Sequence, residues 1–292
     1  MLFDLVEDRF NFRIAGTAAV AVFVLAGCSA QGQVVWKPGF GRAAIWNDGN
    51  AEVSVYEARD VREGVPRASR ATLIVVAEDL NREKLAKAER PEGEPGTIRV
   101  LKLNHIRSIQ TGVSVYNQML SVFLAADRLD PVKLTIASHD WCGNSFVEWR
   151  SDRKVLSVRS YFESVGDADL PLDPAGALFY DALPLALRGL DFERTREGRL
   201  RILETVFASA PATPAAEDAV LRVAAAPGSL WRITVDRGQR RDVFDFETSF
   251  PHRLARWERS DGGLLTLIES RRFPYWQKNR RGDEKLLPPA PA

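Results

Sequence analysis

Between residues 51 and 272 short apolar stretches follow one another so closely that few of the gaps could hold a crossover helix. "AEVSVYEAR" (51–59) and "RATLIVVAED" (70–79) alternate or run apolar, and Gly64 and Pro66 mark a turn between them. The pattern recurs at 98–106, 111–127, 132–141, 145–151 and 154–164, and again at 199–209, 218–226, 229–236, 241–249 and 264–272. Asp236-Arg237-Gly238 and Asp261-Gly262-Gly263 are hairpin signals, because glycine accepts the positive φ that tight turns require. Parallel neighbours need a connection of a dozen or more residues, so strands this close must pair antiparallel, as a meander. The expected fold class is therefore mainly β, an antiparallel meander forming a β-barrel or a sandwich. Within "IRVLKLNHI" (98–106), alternation sets Leu101, Leu103 and His105 on one face and Val100, Lys102 and Asn104 on the other.

One stretch breaks the pattern. "LDPAGALFYDALPLALRGL" (172–190) predicts a helical segment near 174–190, with Pro184 giving a kink or two short helices and Gly189 a stop. Its leucines and alanines predict packing onto the sheet or into a barrel mouth. The organisation expected is a single β-rich domain over 36–276, with possible halves 36–170 and 195–276 joined by the helical segment. The charged, proline-rich segment 277–292 is expected to be disordered.

The N-terminal segment points to a compartment. Arg9 and Arg13 precede an apolar run from Ile14 to Leu25, short of the roughly 20 residues that span a bilayer but suited to an export signal. The run ends in Leu25-Ala26-Gly27-Cys28, a match to the bacterial lipobox. Small side chains there fit the signal peptidase, and the cysteine thiol carries diacylglycerol. Residues 1–27 are thus expected to be a lipoprotein signal peptide, cut between Gly27 and Cys28, with 28–35 as a tether. Acyl chains on Cys28 would hold the protein to a membrane more firmly than the single chain that suffices only marginally. Ser29, rather than aspartate, follows the cysteine, which by the enterobacterial sorting rule directs it to the outer membrane, facing the periplasm. Lys plus Arg number 40 against 39 Asp plus Glu, so no global field attracts nucleic acid, and none is expected as a partner.

Several stretches together carry a resemblance: "WNDGNAEVSVYE" (46–57), "ATLIVVAED" (71–79), "LKLNHIRSIQTGVSVYNQM" (101–119), "DWCGNSF" (140–146) and "RSYFE" (159–163). Over about residues 44–185 the chain resembles a family of exported bacterial lipoproteins whose members often bear the label septum formation inhibitor Maf. The resemblance implies an exported, largely β protein. True Maf proteins are nucleotide pyrophosphatases with a Ser-Pro-Arg-Arg type motif after the first strand, which this chain lacks, so that label brings no catalytic residue with it.

Candidate chemistry concentrates in "SHDWCGNSF" (138–146). A thiol nucleophile needs a base within hydrogen-bond reach. Strand alternation sends His139 and Cys142 to opposite faces, so the pair forms a dyad only across a bulge. Cys142 and His139 remain the catalytic candidates, against a reading of Cys142 as a small core residue beside Trp141. No His/Cys spacing fits a zinc site and the acids of 161–173 lack calcium-loop spacing, so neither metal nor cofactor is expected. Tyr116, Trp141, Tyr161 and Glu163 are candidates for ligand binding. The leading functional expectation is a non-enzymatic binder of a hydrophobic or envelope-derived ligand. The alternatives are an envelope hydrolase or thiol enzyme using Cys142, and an assembly factor meeting partners through Trp36, Trp46 or the C-terminal aromatics.

Overall fold

A computed structural model describes residues 34–89, 95–208 and 213–288. Cys28, Gly27 and the rest of the signal and most of the tether lie outside the described residues. In chain order the strands are β1 (Ala51–Arg62), β2 (Val65–Asn81), β3 (Ala86–Lys87), β4 (Thr97–Thr111), β5 (Ser114–Ala125), β6 (Pro131–His139), β7 (Asn144–Arg150) and β8 (Val155–Ser160). They continue as β9 (Ala168–Pro171), β10 (Leu178–Phe179), β11 (Glu197–Leu203), β12 (Ala216–Ala226), β13 (Leu230–Arg237), β14 (Arg240–Glu247), β15 (Leu254–Glu258) and β16 (Leu264–Phe273). All belong to one sheet in the order β10-β11-β12-β13-β14-β15-β16-β1-β2-β4-β5-β6-β7-β8-β9, with β3 paired to β2 beside this path. Pairing is antiparallel throughout except for the two-residue β10–β11 contact.

Turn chemistry sets the register. Arg62 pairs with Val65, so Glu63 and Gly64 alone connect β1 to β2, at φ 53° and 73°. Two central residues at positive φ make the turn whose twist matches paired strands. Arg237–Arg240 closes the β13–β14 hairpin in the same two-residue way.

The meander is as expected; its closure is not. The end strands β9 and β10 do not pair with each other, so the sheet is not closed into a barrel. Both edges are short, and β9 ends at Pro171, which has no N–H to donate to a neighbour. The putting together of 36–170 and 195–276 is done by β1 and β16, which pair from Ala51↔Phe273 to Arg59↔Leu264, so the two halves share one sheet.

The helical segment is shorter than 174–190 and runs over ten residues: a 3-10 turn at Tyr180–Ala182, α1 (Leu183–Ala186) and a second 3-10 turn at Leu187–Gly189. Pro184 sits in the first turn of α1, where its missing N–H costs nothing. Every residue of this insert is buried, as for a helix apolar on all sides. Leu183, Leu185 and Leu187 join one cluster with the inner-face side chains of Tyr56, Leu101, Leu120, Ile136, Ile233 and Phe244. The inner face of the sheet is thus filled by the chain's own insert. Arg188, its one basic residue, forks onto Glu52 at 2.8 and 2.9 Å and donates through Nε to the Pro251 carbonyl.

On the outer face Ala51, Val53, Ile74 and Val76 form a second cluster, covered by Phe273, Tyr275 and Leu287. The segment expected to be disordered therefore lies against the sheet as far as Pro288, whose carbonyl accepts from Arg70. Before β1, the chain at Phe40–Arg42 presses on the β5–β6 connection. A Cβ on Gly41 would stand 2.5 Å from the Ala126 carbonyl oxygen, a backbone atom that cannot swing away. Gly41→Ala is accordingly expected to lower unfolding free energy by about 1–3 kcal/mol in chemical denaturation.

Candidate functional sites at the two ends of the sheet

Two cavities flank the insert. One is lined by Ala126, next in chain to the Val100–Ala125 pair that ends the β4–β5 ladder; the other is lined by Arg107, which pairs with Gln118. Seven residues of strand separate these levels, or about 24 Å.

The first cavity, of about 510 Å³, is largely apolar. Trp36, Phe40, Leu129, Leu178, Ala186 and Leu200 wall it. Residues 35–37 reach it by pairing with the end of the insert and the chain just past it: Lys37 N donates to Gly189 O and Asp191 N to Val35 O, both at 2.8 Å. Gly189 sits where any side chain would enter the cleft, since its Cβ would fall 2.4 Å from the mobile end of Leu129. The rim is polar, with Lys37, Asp127, Arg128 and Asp130 around the mouth.

The second cavity, of about 440 Å³, is built from polar residues in inner-face positions. His105 and Arg107 continue the β4 row begun by Leu101 and Leu103; Asp60 continues the β1 row of Tyr56 and Ala58. Arg237 and Trp257 come from β13 and β15, Asp181 and Tyr180 from the insert, and Thr205 and Phe207 from the chain after β11. Arg107 bonds to Asp60 at 3.1 Å, to Gln118 and to the Phe207 carbonyl, while Arg259 meets the same Asp60 oxygen at 3.3 Å. Tyr180 donates to Asp242 at 2.9 Å, and Arg237 holds the other oxygen of that carboxylate at 2.7 Å. Asp181 accepts from the Thr205 hydroxyl at 2.6 Å and from Val206 N.

Burial raises the Asp60 carboxyl, but Arg107, Arg259 and Ser69 outweigh it and hold it below the ordinary carboxylate range. Burial pushes Asp181 up, against its bonds to Thr205 and Val206. Burial, then Arg107, drives His105 down to about 3, with Asp60 opposing, so its ring is neutral at physiological pH. Burial also brings the Arg107 guanidinium down to about 10. His105 is only 3% exposed and lines the cavity, yet among the described residues neither ring nitrogen has a hydrogen-bond partner. The ring sits edge-on to Phe207, centroids 5.1 Å apart.

The residues singled out from the sequence fall elsewhere. Cys142 is exposed, in a turn where Asp140 Oδ1 accepts from Cys142 N at 2.7 Å and Gly143 N at 3.0 Å. It is not the buried core residue expected beside Trp141, because the Asp140 side chain ends the strand and turns the chain outward. Trp141 itself is 71% exposed. His139 closes β6 on the surface, and among the described residues no hydrogen bond joins Cys142 to a histidine. Tyr161 lies over Gly143, and Glu163 is exposed in the following turn. Tyr116 is half-buried under the Arg62 guanidinium, 3.7 Å from its ring centroid. None of these lines either cavity. Cys142→Ser is expected to shift stability by less than about 0.5 kcal/mol, read by urea unfolding, as befits a surface position.

Among the described residues no group of three His, Cys, Asp or Glu is placed to hold a metal ion, and no helix is long and apolar enough to cross a membrane. No known protein family, curated protein or solved structure matches the chain.

Proposed function

We propose that the protein is a lipoprotein of the bacterial cell envelope, tethered through Cys28, that binds an apolar, acyl-chain-bearing ligand in the cleft between residues 36–41 and the insert. The observation that carries this reading is the apolar cleft of about 510 Å³, within the usual range for small-ligand sites and with a polar rim to orient a headgroup. Its position adds support. Trp36, on the cleft wall, follows Cys28 by eight residues, which span at most about 29 Å when fully extended. A lipidated Cys28 would therefore keep the cleft within that distance of the bilayer, where acyl chains are the abundant apolar ligand.

The tether and the cleft are tested separately. Cys28→Ser is expected to move the protein from the membrane to the soluble fraction on cell fractionation; continued membrane attachment would contradict the lipid anchor. In the purified protein, a fluorescent polyene fatty acid should bind saturably, and Gly189→Trp should weaken it at least tenfold; Leu200→Trp, at a half-buried position on the cleft wall, should weaken it likewise without crowding the buried insert. Equal binding by wild type and Leu200→Trp would remove the cleft as the site.

A further inference from the structure

We propose that the polar cavity around His105 is a second binding site, and that it takes an uncharged, hydroxyl-rich small molecule the size of one sugar ring. Its volume, about 440 Å³, lies in the range of small-ligand sites. Charge decides against an ionic ligand. Four guanidiniums line the cavity, those of Arg107, Arg237, Arg240 and Arg259, and each has a carboxylate within 3.3 Å. The carboxylates among the lining residues and their direct partners are Asp181, Glu204 and Asp261, with Asp60, Asp242 and Glu217 behind them. Even with Asp181 protonated there is no positive excess, so an anion gains from the arginines what it loses to the acids. A cation fares no better at the wall itself, where four guanidiniums stand among three carboxylates and Asp60, Asp242 and Glu217 lie outside the lining.

A hydroxyl group suits what is left over. The neutral imidazole of His105 offers one donor and one acceptor, and it is buried in the cavity wall with neither of them used among the described residues. A hydroxyl both donates and accepts, so it satisfies the ring in either tautomer. The paired arginines and carboxylates keep spare donor hydrogens and lone pairs in fixed places, where further hydroxyls can bond without separating any ion pair. His105 also distinguishes the ligand classes by pH. Facing it are Arg107 on its own strand, Asp60 on β1 and Arg259 after β15, and its titration lies far below neutrality. The His105 ring therefore adds no pH dependence to hydroxyl binding between pH 5.5 and 8, whereas a bound oxyanion would draw a proton onto the ring and bind more tightly in acid.

The test is calorimetric titration of the purified protein with glucose, N-acetylglucosamine, myo-inositol and inorganic phosphate at pH 5.5 and 7.5. The expected result is saturable binding of at least one of the three uncharged probes, unchanged between the two pH values, and none of phosphate. His105→Phe should weaken that binding at least tenfold, and so should Glu204→Leu, a half-buried position at the wall that leaves the core intact. Leu200→Trp, which blocks the apolar cleft, should leave it unchanged. Binding of phosphate alone, binding that tightens in acid, or no binding of any of the three uncharged probes would overturn the proposal.

Discussion

Arg188→Ala is expected to destabilise the fold by about 3–5 kcal/mol, because it leaves the Glu52 carboxylate buried without its counter-ion. That is a large share of the roughly 5–15 kcal/mol that holds a typical domain folded. Both side chains are almost fully buried, so neither can turn to water, and the lost bonds include the one to the Pro251 carbonyl. The double variant Glu52→Leu/Arg188→Met removes both charges and should recover much of the loss, since a buried ion pair is often no more stable than the apolar pair that replaces it. Urea unfolding of the two single variants and the double variant measures the coupling. Additive losses would mean the pair does not act as a unit.

The second large effect is acid lability through His105. Its folded value of about 3 lies below the ordinary histidine value of 6.5, so the unfolded chain takes up a proton that the folded one refuses. The stability concerned is fully present above about pH 6.5 and is lost as pH falls from there toward about 3. Each unit is worth about 1.4 kcal/mol, so the loss across the window is on the order of 5 kcal/mol. His252, lowered by burial, adds in the same direction, and Asp60 does so at lower pH; Asp181, raised by burial, acts the other way. His105→Phe keeps an aromatic ring against Phe207 and Trp257 and should flatten the dependence of unfolding free energy on pH between 6 and 4 by close to one proton. An unchanged slope would show that His105 is not the group that titrates.

The fold was legible in the sequence where physics is local. Alternation and turn residues placed the strands and the β1–β2 and β13–β14 hairpins, since period and positive φ are read from neighbouring residues. Long-range pairing was not legible. The β1–β16 contact, which joins the two ends of the β-rich segment, leaves no mark in either strand, and β15 is too short for its period to register. Closure was overestimated because the unpaired edges depend on strands of only four and two residues.

The cavities were missed for a related reason. His105 and Arg107 stand at apolar-face positions of a strand that begins with Leu101 and Leu103, and Asp60 breaks the row of Tyr56 and Ala58 in the same way. A polar residue in a buried register was the available signal. It became a site only when strands far apart in sequence brought Arg237, Trp257 and Arg259 beside it. The cysteine turn drew attention instead because cysteine is rare in the chain, although Asp140 capping two backbone amides accounts for its geometry.

The central claim is that the cleft beside the tether holds an apolar ligand, and its most direct measurement is mass spectrometry of lipids that co-purify with the natively processed protein extracted from its own membrane in mild detergent. The predicted result is a non-covalent lipid species near one per chain in the wild type and strongly depleted in Leu200→Trp. No enriched lipid, or equal enrichment in both proteins, would contradict it.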